Sequence, residues 1–478
     1  MEQGDGFDSA AGATLSNMML APPTTSTTWG RAYRMLRARV RQALAGHHDA
    51  AIVQVSVPVD TVDVLHWLAA QTSREKGYWS GRDGQQRTAW VGLADVLSDG
   101  EETHWSQLRQ ALQQRLEGTA PAVRYFGSLW FDDDRPRATY WRPFRAQRFV
   151  LPRVLLTADG DRVALSCNLR PDHDHIDAVL AELRQLESPA AVVSPVQLPA
   201  PLERRDFPNY AGWAANIAWA LEAFRQGALD KVVLARKAVF DFAEPLDPFA
   251  LLQRLREDAP NRFHFLLQPR PGHAFVGASP ERLFCKRGRT VLSEAVAGTR
   301  PRGDSELTDA QLRSELLGSE KDQREHAFVR RQIRATLHPL TTSLDVETVA
   351  SEMKLAKGRH LVSRVNGTLR DDVTSLDVLQ ALHPTPAVGG TPREGALDAI
   401  RRLEPFDRGL YAAPVGWISD DDAEFAVAIR TGLVQGHTLA LYSGAGIVDG
   451  SDARGEWDEI EHKIIDFINV FGLDVRRA

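Results

Sequence analysis

Carboxylates and an amine at helical spacing mark the C-terminal end of this 478-residue chain. The run RGEWDEIEHKIIDFINVF puts Glu456, Glu459 and Lys463 within roughly 60° of one another on a helix turning about 100° per residue. They flank an apolar face of Ile460, Ile464 and Phe467. A second helix is predicted over SEKDQREHAFVRRQIRATLHP, with Ser319 as its N-cap and Glu325 on the same stripe as Phe328, Val329, Ile333 and Leu337. A carboxylate on a buried face needs a cation or several hydrogen bonds, because desolvating it alone is costly. Two carboxylates from one helix and a third from another would make an oxygen cage for Mg²⁺, a hard cation that keeps waters and binds anionic substrates. The same residues would equally serve as an exposed ion-pair ladder and a satisfied structural glutamate.

Three further segments carry polar groups in apolar settings. Lys231 opens the apolar strand KVVLARKAVF, where burial disfavours the ammonium and would leave the amine as a general base; the alternative is a lysine marking a strand end. Such a strand-end side chain is expected to contribute little to the core. Glu281 follows the turn Gly277-Ala278-Ser279-Pro280 and precedes Leu283 and Phe284, so burial would favour its protonated form as a proton donor; a solvated hairpin carboxylate is the plain alternative. YSGAGIVDG, from Tyr442 to Gly450, reads as a glycine-containing loop after a strand, whose free N–H groups could hold a carboxylate or simply make a turn. Its glycines at 444, 446 and 450 do not fit GxGxxG, which removes the best motif for a nicotinamide dehydrogenase.

The elements that must position these groups follow from periodicity and breakers. Residues 1–28, rich in Gly, Ser, Thr and Pro, are expected to be a tail outside the fold. Met35, Leu36, Val40, Ala43 and Leu44 predict a helix from about Trp29, followed by a strand from Ala51 to Val57. The stretch ESPAAVVSPVQLPAP, Glu187 to Pro201, suits a crossing between an N-terminal lobe, 29–200, and a second region, 201–478. That region opens with an amphipathic helix bearing Tyr210, Trp213, Ile217, Ala220, Leu221 and Phe224. RFHFLLQ, HAFVGAS, ERLFCK and TVLSEAV then read as β-runs separated by Pro-Gly, Ser-Pro and Arg-Gly turns, arguing for antiparallel hairpins rather than βαβ units. The class is α+β, with large antiparallel sheets and helices packed outside.

Composition narrows the partners. A net charge of −6 from 57 basic and 63 acidic residues, intermixed, argues against nucleic acid. Cys167 and Cys285, far apart and in no CxxC or His-rich cluster, suit a reducing cytoplasm without structural zinc. The N-terminal residues lack a secretion signal and no run of about 18 apolar residues occurs, so a cytoplasmic protein with no membrane contact is expected. A monomer is the default expectation.

Taken together, DKVVLARK, GASPERL, SEAVAGTRPRG, SEKDQREH, HPTPAVGG, LEPFDRGLYAAPVGW, AIRTG, SGAGIV and GEWDEIEHK, in this order, resemble the chorismate-utilising enzymes. These are the anthranilate, aminodeoxychorismate, salicylate and isochorismate synthases, and the match covers roughly residues 205–475. The resemblance implies an α/β sandwich, with its site in a cleft between sheets and chorismate as substrate. Lysine at 231, where ammonia-using members typically have glutamine, implies water as nucleophile. Ala297, where aminodeoxychorismate synthases typically carry a lysine nucleophile, excludes covalent catalysis from that position. HPTPA, His383 to Ala387, resembles the isochorismate-forming members, with salicylate synthase the alternative.

The family match further implies Lys231 as base, Glu281 as acid, and Mg²⁺ held by Glu325, Glu456 and Glu459. It implies substrate contacts from Gly298, Thr299, His360, Ala387, Arg430, Gly444, Gly446 and Lys463, His360 lying in the less similar run GRHLVSRVNG. Ser443 and Val296 depart from the family's commoner alanine and leucine.

Overall fold

The structure, a computed structural model, describes residues 29–99, 104–189, 198–354 and 358–472. The expected tail lies outside these residues, as does much of the proline-rich crossing, 190–197.

The strands form one hydrogen-bonded network that forks at the long strand Gln147–Asp159. One arm runs from it through Gln86–Asp99, Lys76–Ser80, Phe263–Arg270, His273–Ser279, Thr431–Gln435 and Thr438–Ile447 to Lys231–Phe242, each pairing antiparallel. The other runs through Tyr125–Leu129, Pro414–Ile418, Ala423–Val427, Arg282–Arg287 and Thr290–Pro301 to Gly358–Leu369, again antiparallel throughout. The large antiparallel sheets of the sequence reading are therefore present. Strands from before residue 200 pair with strands after it in both arms, so the two halves of the chain are built into each other.

The β-runs read from the sequence fall where expected, with one difference that matters. Phe263–Arg270 and His273–Ser279 make a hairpin, and Arg282–Arg287 pairs with Thr290–Pro301, but His273–Ser279 and Arg282–Arg287 belong to different arms. The turn Ser279-Pro280-Glu281 is thus the crossing between them. Ser279 Oγ fixes it by donating to the Val427 carbonyl at 2.6 Å, and Val427 N–H donates to the Glu281 carbonyl at 3.1 Å.

Helices cover the outside. Trp29–Ala45 buries Ala32, Tyr33, Leu36 and Val40. Tyr210–Arg225 buries Trp213, Ile217, Ala220 and Ala223, while Tyr210 itself stays exposed and packs edge-on against Trp457. Glu320–Leu337 is capped by Ser319, whose side chain accepts from Asp322 N–H, and buries His326, Val329, Ile333 and Leu337. Ala453–Ile468 is capped by Asp452 and buries Ile460, Ile464 and Phe467. In both helices the apolar stripe against the sheets sets the rotation, and that rotation turns the glutamates toward the gap between the arms. Among the described residues no helix is long and apolar enough to cross a membrane.

Candidate active site

A cavity of about 220 Å³ opens between the two arms, and every residue to which the family resemblance gave a site role lines it: Lys231, Glu281, Gly298, Thr299, Glu325, His360, Ala387, Arg430, Gly444, Gly446, Glu456, Glu459 and Lys463. Val296 and Ser443, the two departures from the family pattern, line it as well.

Lys231 is not a loose strand-end side chain. It is 1% exposed, and its Nζ donates to Glu325 Oε1 at 2.9 Å across to the helix Glu320–Leu337. The contact exists because residue 446 is glycine: a Cβ there would lie 2.5 Å from Glu325 Oε1 and 3.1 Å from Lys231 Cε. The segment read as a glycine loop is strand through Ile447, with Gly444 opposite Ala235 and Gly446 opposite Val233. Ala235 and Val233 direct their own N–H groups to Glu404 and to the Gly389 carbonyl, so both glycines sit in non-hydrogen-bonded pairs. Their backbone groups face the free edge beyond Tyr442, where Lys463 Nζ donates to the Gly444 carbonyl at 2.9 Å.

Glu281 is 8% exposed, and burial pushes its carboxyl up to about 7. Of the charges facing it, Lys231, Arg82 and Lys463 pull it down, while Glu294 pushes it up. A carboxyl raised in this way keeps its proton to higher pH than an exposed one, which suits a general acid.

The carboxylates expected from the sequence to hold a metal share the cavity, yet each is turned to a lysine. Glu325 meets Lys231; Glu456 Oε1 accepts from Lys321 Nζ at 3.0 Å and from Ser451 Oγ at 2.7 Å; Glu459 Oε1 accepts from Lys463 Nζ at 2.7 Å. Among the described residues no three His, Cys, Asp or Glu side chains converge on one point. Burial, and then the neighbouring Glu459 charge, raise the Glu456 carboxyl above its ordinary value. Lys463 holds Glu459 below its own, against burial. Burial opposes the Lys321 ammonium, but Glu456, Glu459 and Glu325 together hold its proton more tightly than usual. Crowded carboxylates stabilising a nearby ammonium would do the same for a divalent cation, and a set of hard oxygen donors suits Mg²⁺ in kind.

On the far wall, Gly298 makes a bulge in Thr290–Pro301 at φ +70°, and a Cβ there would come within 3.1 Å of Asp322. His360 Nδ1 lies 3.1 Å from the Gly298 carbonyl and 3.0 Å from Thr299 Oγ1. Burial, helped by Arg430, lowers His360 to about 4, so the ring is neutral; with Nδ1 donating to the carbonyl, Nε2 is an acceptor. Arg430 takes a left-handed backbone, φ +55°, held by its carbonyl accepting from Ala278 N–H at 3.1 Å and by its Nη1 donating to the Lys463 carbonyl at 3.1 Å. Strain of this kind, about 1–3 kcal/mol, concentrates where a side chain must be aimed.

The sequence reading passed over Lys321, Asp322, Arg300 and Tyr411, which also line the cavity. Lys321 was within reach of it, standing one helical turn before Glu325. Tyr411 is brought in only by the fold, stacked on Tyr442 with centroids 5.5 Å apart.

An enzyme of two forked antiparallel arms, with acid, amine and carboxylates meeting in the gap between them, is the class that fold and site define. The family described as chorismate binding enzyme matches residues 38–472, and the chain belongs to it. Isochorismate synthase 2, chloroplastic, of Arabidopsis thaliana is 32% identical over 462 residues, 88% of this chain and 80% of that protein. Isochorismate synthase MenF of Bacillus subtilis is 30% identical over 452 residues, 90% of this chain and 95% of that one. The solved structure of MenF, the menaquinone-specific isochorismate synthase from Escherichia coli, superposes with a TM-score of 0.81 at 29% identity, covering 92% of this chain and all of that one.

Proposed function

We propose that the protein is an isochorismate synthase, an isomerase that interconverts chorismate and isochorismate with Mg²⁺ as cofactor. The observation that carries this reading is the meeting of Lys231 and Glu281 in one cavity, with burial placing the Glu281 carboxyl at about 7. Isochorismate synthases among its relatives support it along most of the chain.

In this reading Lys231 takes a proton from a water that attacks C2 of chorismate. The ring double bonds shift, the C4–O bond breaks, and Glu281 gives its proton to the departing hydroxyl, which leaves as water. One water is added and one is lost, so product and substrate are isomers. Arg430, Lys463 and the N–H groups of Gly444 and Gly446 grip the substrate carboxylates; Gly298, Thr299, His360 and Ala387 line the ring's pocket. Glu325, Glu456 and Glu459 would hold Mg²⁺, which supplies positive charge to neutralise and orient the ring carboxylate. The two cysteines, unpaired, one buried and one half-buried, suit the reducing cytoplasm in which we place the enzyme.

The test is incubation of the purified protein with chorismate, in Mg²⁺ or in excess chelator, with products separated by chromatography. A Mg²⁺-dependent mixture of chorismate and isochorismate is expected. Salicylate with pyruvate would instead assign the salicylate-forming activity, and no product would remove the catalytic reading.

A further inference from the structure

The stretch LEPFDRGLYAAPVGW is one of those by which the chain resembles its family, yet only its Tyr411 lines the cavity. Its Glu404 and Arg408 lie behind the wall, their side chains 0% and 2% exposed. Arg408 Nε donates to Glu404 Oε2 at 2.9 Å, and Nη2 donates to Glu404 Oε1 at 2.5 Å. The pair's other hydrogen bonds reach backbone. Arg408 Nη1 donates to the Val388 carbonyl at 2.9 Å and Nη2 to the Val233 carbonyl at 2.8 Å, while Glu404 Oε1 accepts from Ala235 N–H at 2.8 Å.

These contacts fill a gap in the sheet. Along one edge of the strand Lys231–Phe242, Thr438–Ile447 pairs without a break from Val232 to Asp241. Along the other edge, Gly390–Thr391 pairs with Lys231 and Val232, and Pro201–Phe207 pairs from Lys237 onward. Residues 233–236 have no strand beside them there, and backbone groups left unpaired in a buried wall are costly. Val233 N–H donates to the Gly389 carbonyl at 2.8 Å, and the ion pair takes up the Val233 carbonyl and the Ala235 N–H that follow. The guanidinium that completes this edge also holds the Val388 carbonyl, so it ties residues 385–389 to the strand that carries Lys231. Val233, Ala387 and Val388, on either side of that tie, all line the cavity.

We propose that Arg408, fixed by Glu404, is a positioning residue that sets the width of the cavity between the Lys231 strand and the wall made by Ala387 and Val388, against which the substrate ring rests. The inference rests on the reading of Ala387 as part of the ring's pocket. The strand is paired along its whole other edge, whereas residues 385–389 lie outside any strand. Loss of the tie therefore displaces the wall and leaves the amine in place, so its consequence falls on substrate binding more than on the chemical step.

The experiment uses Arg408→Lys, which keeps a charge beside Glu404 but cannot reach both carbonyls. Glu404→Gln, which loosens the fork without removing it, serves where the first variant does not fold. Each is assayed with chorismate and Mg²⁺ at a temperature well below its unfolding transition. KM should rise on the order of tenfold, the weight of one charged hydrogen bond, while kcat changes far less and its pH profile stays in place. Amide hydrogen exchange should quicken in residues 385–389 and hold its wild-type rate in the strand Thr438–Ile447. A pair with a merely structural role would leave the KM of the folded variants at wild type; that result, or unchanged exchange at 385–389, overturns the inference. No chorismate turnover by the wild-type protein would overturn the functional reading instead, and the exchange measurement tells the two failures apart.

Discussion

Replacing Lys231 by alanine removes the proposed base and one half of a buried pair, and the two losses can be separated. Alanine keeps Cβ and loses three buried methylenes, each contributing about 0.8 kcal/mol, or about 2 kcal/mol together. It also strips Glu325 of its 2.9 Å partner, leaving a carboxylate that is 17% exposed and only partly able to reach water. A buried group left unpaired costs about 1–3 kcal/mol, so Lys231→Ala should be about 3–5 kcal/mol less stable than wild type. Lys231→Met keeps most of the stem and should recover about 2 kcal/mol of that loss. Activity should follow the amine: both variants should lose roughly 10²–10⁴-fold in kcat. Denaturant unfolding of the three proteins reads the first difference, and chromatographic product formation reads the second. Turnover by Lys231→Met within tenfold of wild type would refute the base assignment. Equal stability of Lys231→Ala and wild type would refute the buried-pair argument, restoring the plain expectation of a strand-end lysine.

Other expectations follow from the same geometry. Between pH 4.5 and about 7 the native Glu281 binds more proton than the unfolded chain, so the protein loses stability as pH rises through that window. Glu281→Gln abolishes that loss; relative to wild type it should gain roughly 2–3 kcal/mol at pH 8 over its difference at pH 4, while losing activity, and a pH-independent difference in denaturant midpoints would contradict the raised carboxyl. Gly446→Ala forces a Cβ to within 2.5 Å of Glu325 Oε1, so it should cost about 1–3 kcal/mol and at least tenfold in kcat; a variant as active as wild type would show that the close approach is dispensable. Lys321 donates to Glu456, one of the proposed Mg²⁺ ligands, so Lys321→Met should tighten Mg²⁺ binding measured by calorimetry, and weaker binding would count against the proposed carboxylate site.

Much of this protein could be read from its residues. The stripe Val329, Ile333 and Leu337 sets how the helix Glu320–Leu337 sits, and Ile460, Ile464 and Phe467 do the same for Ala453–Ile468. Once those faces are buried, the helical period alone puts Glu325, Glu456, Glu459 and Lys463 on the cavity side. The alternating β-runs and their turns likewise specify antiparallel strands, because period and breakers are local properties.

Partners across long loops are not local. No spacing says that Ser279-Pro280-Glu281 is a crossing between two arms rather than a hairpin turn, yet that crossing is what buries Glu281. Nothing near Lys231 in the chain announces Glu325, 94 residues away, or that Gly446 makes room for the pair. Arg82 shows no motif at all, and meets Glu294 only because strands from both halves of the chain share one network. The sequence by itself thus determined which side chains could do chemistry and which faces they ride on, since both follow from residue type and period. Tertiary structure decided the charge each one feels, because electrostatics depends on through-space distance and burial, which the chain sets only when it folds.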